Sequence, residues 1–128
     1  MANRSKNVLG TELKACCLDP VTGFYRDGMC SSSPQDPGEH TLCAIVTDDF
    51  LEYTAELGND LITPAPAFGY PGLKAGDRWC ICVSRWVEAM RVGCAPQVDL
   101  EATHVSVLNH VDLDILKRYA HVEGLTGN

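Results

Sequence analysis

Residues 76–86 carry the densest chemistry in the chain, because they include both tryptophans and two of the seven cysteines. Alternate side chains of an extended strand point to the same face of the sheet. Cys80 and Cys82 would therefore lie together, on the face opposite Trp79. Two thiols on one face suggest either a metal site or a reactive cysteine.

A metal site would need these two thiolates and further ligands from other strands. The candidate ligands are Cys43, Cys80, Cys82 and His40. The paired Cys-x-x-Cys spacing of structural zinc sites is absent, and cysteines are also common as small apolar side chains in protein cores. The sequence requires no cofactor and leaves a transition metal open. We expect Cys80 and Cys82 to be buried and not bridged to each other, because their side chains would run parallel.

A reactive thiol would need a neighbouring positive charge to stabilise the thiolate, and Arg78 lies two positions from Cys80. It would also need a base. His104 is the first choice because it lies between structured elements, and His40, at the start of a strand, is the second. A lone histidine is more often a structural hydrogen-bonding group, so the sequence leaves open whether the protein is an enzyme.

Charged side chains in the loops suggest a third kind of site. A guanidinium beside a tryptophan is suited to stacking and to binding carboxylates. The candidate ligand-binding residues are Arg26, Asp27, Asp77, Arg78, Arg85 and His104. The alternative for the aspartates is that they form turn hydrogen bonds. The alternative for the arginines is that they pair with aspartates and tie the long loops to the sheet.

Three hypotheses follow for the function. The first is that the domain binds a small polar or anionic ligand, or a protein partner, through its long loops. The second is a thiol or metal site at Cys43, Cys80 and Cys82 with a histidine. The third is a purely structural, homo-oligomeric protein whose aromatic loop, residues 59–75, forms the interface.

Composition narrows the possible partners and location. The net charge is -7 and the isoelectric point is about 4.9, which argues against nucleic acid or an anionic membrane as partner. We find neither a secretory signal nor an apolar run near the roughly 20 residues of a membrane span. We therefore expect a soluble cytoplasmic protein. Disulfides are rare in a reducing cytosol, so we expect none to order the fold.

The 128 residues suit a single domain, with an ordered core at about residues 7–121. Residues 40–46 predict a central strand because they are apolar and β-branched. Residues 48–57 predict a helix with Thr47 as its N-cap. Turn-forming residues at 19–38 and prolines at 59–75 predict two long irregular loops.

The second half of the chain continues with residues 78–83 as a strand and Ser84 as the N-cap of a helix. Residues 98–100 predict a short strand, whereas residues 102–111 fit strand and helix equally. Asp112 would cap a last helix. Three helices and a few short strands, without βαβ alternation, predict an α+β fold in which helices pack on a small, mostly antiparallel sheet as a two-layer sandwich.

Several segments resemble a small, mainly bacterial family known as domain of unknown function 2237 (DUF2237). The segments that carry the resemblance are residues 22–28, 40–44, 58–61, 71–82, 85–86 and 100–104. The resemblance covers about residues 7–120 and implies a compact α/β two-layer domain. It implies no activity, ligand or catalytic residue.

Overall fold

The computed structural model describes residues 5–17, 22 and 27–121. Within them, three antiparallel strands and three α-helices confirm the predicted α+β class. The strands are β1 (Leu42–Ile45), β2 (Arg78–Ile81) and β3 (Gln97–Val98), and the helices are α1 (Asp48–Glu56), α2 (Val83–Arg91) and α3 (Leu113–Arg118). None of these helices is long and apolar enough to cross a membrane.

Strand β1 is central, as predicted, because β2 and β3 pair with its two edges. The two faces of the sheet have different contents. Leu42 and Ile81 lie opposite each other in register and belong to the main hydrophobic core. Cys43 and Cys80 are also opposite each other, but they belong to a separate buried cluster. Alternation along the strands therefore separates the cysteines from the core, as β geometry requires.

Helix α1 begins where the sequence predicts. The hydroxyl of Thr47 accepts a hydrogen bond from the Phe50 backbone N–H at 3.1 Å, which satisfies one of the unpaired donors of the first turn. Asp48 and Asp49 add negative charge to the same turn, which stabilises the helix by interacting with the positive end of its dipole.

Helix α2 corrects the prediction that Ser84 is its N-cap. The N-cap position belongs to Cys82, and the helix begins at Val83. The Cys82 carbonyl accepts hydrogen bonds from the Arg85 and Trp86 backbone N–H groups at 3.1 and 3.2 Å. Strand β2 therefore ends at Ile81, and the chain turns into the helix at Cys82.

The segment between β3 and α3 forms two short 3-10 helices, Leu100–Ala102 and Val105–Asn109. This resolves the ambiguity of residues 102–111, which are neither strand nor α-helix. The predicted strand at residues 98–100 is shifted to Gln97–Val98. Asp112 does occupy the N-cap position of α3, although its side chain makes no capping bond.

Two disulfides, Cys16–Cys43 and Cys30–Cys80, join early parts of the chain to the sheet. The expectation that no disulfides order the fold was wrong. The bridged residues are 27 and 50 positions apart in sequence, and only the fold brings their Cα atoms to 5.7 and 5.3 Å. Cys80 is buried as predicted, but Cys82 is only half-buried, because it follows the end of the strand.

Candidate thiol site

The thiol of Cys82 forms one end of a chain of three polar groups. Its Sγ lies 3.2 Å from Nε2 of His40. The other ring nitrogen of His40, Nδ1, lies 2.8 Å from Oδ1 of Asp36. A nucleophile, a base and an acid that orients the base are the parts of a nucleophilic catalytic site.

A turn at residues 36–40 places the histidine. The Asp36 side chain is only 1% exposed, and its Oδ2 accepts a hydrogen bond from the His40 backbone N–H at 2.8 Å. The Asp36 carbonyl also accepts from the Glu39 backbone N–H at 3.1 Å. Since one carboxylate binds both the backbone and the ring of His40, it fixes the ring with Nδ1 facing Asp36 and Nε2 facing Cys82.

Glu39 connects this turn to helix α2. It has a φ of 52°, and no other non-glycine residue in the described part of the chain has a positive φ. Such a conformation costs free energy and persists where surrounding contacts impose it, often at functional sites. Here the Glu39 carbonyl accepts a hydrogen bond from the backbone N–H of Val83 at 3.3 Å. The turn that carries His40 is thereby held against the start of α2, next to Cys82.

Gly38 permits the close approach of the two reactive side chains. A Cβ at this position would lie 3.0 Å from Cε1 of His40 and 3.3 Å from Sγ of Cys82. Its φ lies outside the left-handed region, so the glycine is needed here for space. A side chain at position 38 would have to displace the histidine or the thiol.

The site favours a positive imidazole opposite the sulfur. The hydrogen bond to Cys82 is the main cause that raises the pKa of His40 from 6.5 to about 9, and the charges of Cys82 and Asp36 and the Asp36 hydrogen bond act in the same direction. Burial opposes them. The sulfur also lies at the start of α2, where the helix dipole is positive. The sulfur therefore faces a histidine whose pKa is raised, at the N-terminal end of a helix.

Cys82 and His40 line a cavity of about 540 Å³. Its apolar walls include Phe68, Tyr70 and Trp79. Tyr70 meets Trp79 edge to face, with ring centroids 5.3 Å apart, and its hydroxyl donates to the carbonyl of Leu61. The proline-rich loop at residues 59–75 therefore supplies a wall of the cavity.

The structure distributes the predicted ligand-binding residues among separate contacts. Asp27 and Asp77 accept backbone hydrogen bonds within turns, from Met29 and Lys74, each at 3.0 Å. Arg26 lies outside the described residues. These contacts match the turn-forming alternative for the aspartates.

The other three residues of that set also have partners in the protein. Arg78 forms an ion pair with Asp99, and Arg85 forms one with Glu88 at 3.2 Å. Nδ1 of His104 accepts a hydrogen bond from the Ser106 backbone N–H at 3.0 Å, and burial lowers the pKa of its ring. None of the five described candidates lines the cavity beside Cys82, and a ligand-binding role for the set stays a prediction.

The predicted metal ligands fall into two places. Cys43 and Cys80 are in the two disulfides, whereas Cys82 and His40 contact each other. The sequence analysis did not single out Asp36 as a functional residue. An aspartate four positions before a histidine, with Pro-Gly between them, is a signal that could have identified it, because a turn there returns the carboxylate to the ring.

Comparison with known proteins shows which family the chain belongs to. No curated protein matches the chain. A family model described as an uncharacterized protein conserved in bacteria matches residues 6–120, nearly the whole chain. The protein therefore belongs to the DUF2237 family.

Proposed function

We propose that the protein is a thiol-dependent hydrolase or acyltransferase in which Cys82 is the nucleophile. The observation that carries this proposal is the contact chain from Cys82 Sγ to His40 Nε2 and from His40 Nδ1 to Asp36. His40 is the acid and base, and Asp36 is the positioning residue. The adjoining cavity gives a substrate access to the sulfur.

The reaction begins when the Cys82 thiolate attacks the carbonyl carbon of an ester or thioester. A C–S bond forms, and the bond to the leaving group breaks as Nε2–H of His40 gives the leaving group its proton. Water then attacks the carbonyl carbon of the acyl-enzyme, and His40 removes a proton from this water. The C–S bond breaks, the acid is released, and the thiolate–imidazolium pair is restored.

The cavity wall supports an apolar acyl group as the substrate portion nearest the sulfur. Phe68, Tyr70 and Trp79 present aromatic surface beside Cys82. Aromatic side chains favour burial of hydrocarbon, and the half-buried thiol lines the same cavity. We therefore expect aliphatic or aromatic esters to react before short, charged ones.

The first test measures the reactivity of the thiol. In a Cys17→Ser/Cys94→Ser background, Cys82 is the one free thiol left, since the other cysteines are bridged. Because Nε2 of His40 lies 3.2 Å from the Cys82 sulfur and can take up the thiol proton, alkylation of Cys82 by iodoacetamide should be roughly 10-fold faster than that of a peptide thiol. His40→Asn should remove most of this advantage.

The second test measures acyl transfer. Intact-mass analysis after mixing with p-nitrophenyl esters of increasing chain length should show one acyl group on Cys82. The adduct should be absent in Cys82→Ser and should form about 100-fold or more slowly in His40→Asn, as expected for lost acid–base catalysis. Ser84→Ala, an exposed hydroxyl two residues away, is the matched control. Alkylation and acylation rates that His40→Asn leaves unchanged would overturn the proposal.

A further inference from the structure

Four cysteines form a buried cluster on the face of the sheet opposite the main core. Its members are Cys16, Cys30, Cys43 and Cys80, together with Ala102. Each cysteine is at most 4% exposed. Cys43 and Cys80 belong to strands β1 and β2, whereas Cys16 and Cys30 belong to the early part of the chain, before β1. This cluster plays no part in the proposed reaction at Cys82.

Strand register brings two of these sulfurs together. Cys43 and Cys80 lie directly opposite each other, and their N–H groups donate to the hydroxyls of Thr103 and Thr22 instead of to each other. They are therefore a non-hydrogen-bonded antiparallel pair, the kind in which side chains approach most closely. Both thiol positions project from the same face at the same level.

The sulfur positions nearly match a metal site. The Sγ atoms of Cys16, Cys30 and Cys80 lie within 4.8 Å of one another, and that of Cys43 is bonded to Cys16. In the described part of the chain, no other group of three or more cysteine, histidine or carboxylate side chains places its ligand atoms so close together. A tetrahedral tetrathiolate zinc site has Zn–S bonds of about 2.3 Å, so its sulfurs are roughly 3.8 Å apart.

We propose that the reduced protein binds one zinc ion through Cys16, Cys30, Cys43 and Cys80, and that the two disulfides are the oxidised, metal-free alternative. Within each disulfide the sulfurs would have to separate by only roughly 2 Å to reach tetrahedral spacing, which side-chain rotation can supply. Zinc suits this cluster because it binds four thiolates in closed sites without solvent. Cys16 and Cys30 therefore stay attached to the sheet in both forms, either through the disulfides or through the metal.

A dithiol supplies the electrons and protons that convert the disulfide form into the reduced form. Two equivalents of a dithiol are oxidised to their disulfides while the Cys16–Cys43 and Cys30–Cys80 bonds break, so four electrons and four protons pass to the protein. Zinc binding then releases four protons as four Zn–S bonds form. In the reverse direction a chelator removes zinc and the four thiolates take up four protons. Two equivalents of an organic disulfide are then reduced to dithiols as the two protein disulfides form.

Cobalt(II) is the probe for this site, because four thiolate ligands give it intense d–d bands in the visible range and sulfur-to-metal charge-transfer bands. The full chain is reduced anaerobically with a dithiol, freed of reductant and titrated with Co²⁺. We expect one Co²⁺ per chain with a tetrathiolate spectrum, and loss of that spectrum on adding Zn²⁺. Cys82→Ser and Cys94→Ser should behave like the parent protein, because both thiols lie outside the cluster.

Cys43→Ser and Cys30→Ser should each lose the tetrathiolate spectrum. A spectrum that survives in Cys43→Ser but disappears in Cys82→Ser would overturn the proposal and place the metal at the Cys82–His40 pair. Failure of the reduced parent protein to bind Co²⁺ would also overturn it. Native mass spectrometry of protein purified without exposure to oxygen gives a second measurement that needs no variant: zinc should be bound, and a metal-free chain with both disulfides intact would contradict the inference.

Discussion

The carboxylate of Asp36 and the imidazole of His40 depend on each other. A buried carboxylate without partners is costly, and this one has the backbone and the ring of His40 as hydrogen-bond partners. The histidine in turn has little freedom to leave Cys82 while Asp36 is in place. The geometry of the site is therefore set by a turn of five residues.

Replacing Gly38 by alanine should damage this geometry without removing any of the three polar groups. The added Cβ would lie 3.0 Å from the His40 ring, closer than nine in ten real contacts of this kind, so the ring or the sulfur must move. We expect Gly38→Ala to slow alkylation of Cys82 about 10-fold, with a loss of unfolding free energy of about 1 kcal/mol, as for modest overpacking.

The matched control is Gly76→Ala, at a turn where a Cβ would meet nothing within 4 Å. That substitution strains the backbone, since Gly76 has a φ of 96°, but leaves the site untouched. It should lower the thermal midpoint and keep the alkylation rate. Equal rates in Gly38→Ala and the parent protein would contradict the packing argument.

The charge of His40 should persist to unusually high pH. Its pKa is raised from 6.5 to about 9, chiefly by the hydrogen bond to Cys82. A raised pKa means that the folded state favours the protonated ring, so this interaction stabilises the fold below about pH 6.5 and its contribution is lost as the pH rises through about 9. An NMR titration of the His40 ring should show its midpoint near 9 and a fall toward 6.5 in Cys82→Ser. A midpoint near 6.5 in the parent protein would be inconsistent with the pair.

The two longer helices begin in different ways, and the difference matches their roles. Helix α1 has a side-chain cap from Thr47, whereas α2 has Cys82 at the same position and no side-chain capping bond. A cap contributes stability, but a thiol that faced inward to cap its own helix would be less available to His40. The first turn of α2 is instead secured by the bond between Val83 and Glu39.

Thr47→Ala should therefore destabilise the protein by about 1 kcal/mol, the usual loss for an N-cap. Ser84→Ala should change the unfolding free energy very little, because Ser84 is exposed and lies inside the first turn of α2. Chemical denaturation of both variants distinguishes them. A larger loss in Ser84→Ala would restore the sequence-based assignment of Ser84 as the cap.

At the scale of the molecule, the sheet separates two chemistries. One face joins the helices in the main hydrophobic core, and the other carries the cysteine cluster that fastens the early segment. Cys82, just beyond the end of β2, belongs to neither group and lines the cavity. Side chains alternate between the two faces along each strand. Cys43 and Cys80 therefore lie in the cysteine cluster, whereas Trp79 lies on the opposite face, in the main core.

Local patterns in the sequence determined the α+β class, the central position of β1, the start of α1 and the burial of Cys80. These depend on hydrophobic periodicity and capping, which act over a few residues. Only the tertiary structure decided which cysteines pair and which histidine meets a thiol. His40 and Cys82 are 42 positions apart, and the bridged cysteines are 27 and 50 apart. Such contacts follow from strand register and loop closure, which no short stretch of sequence encodes.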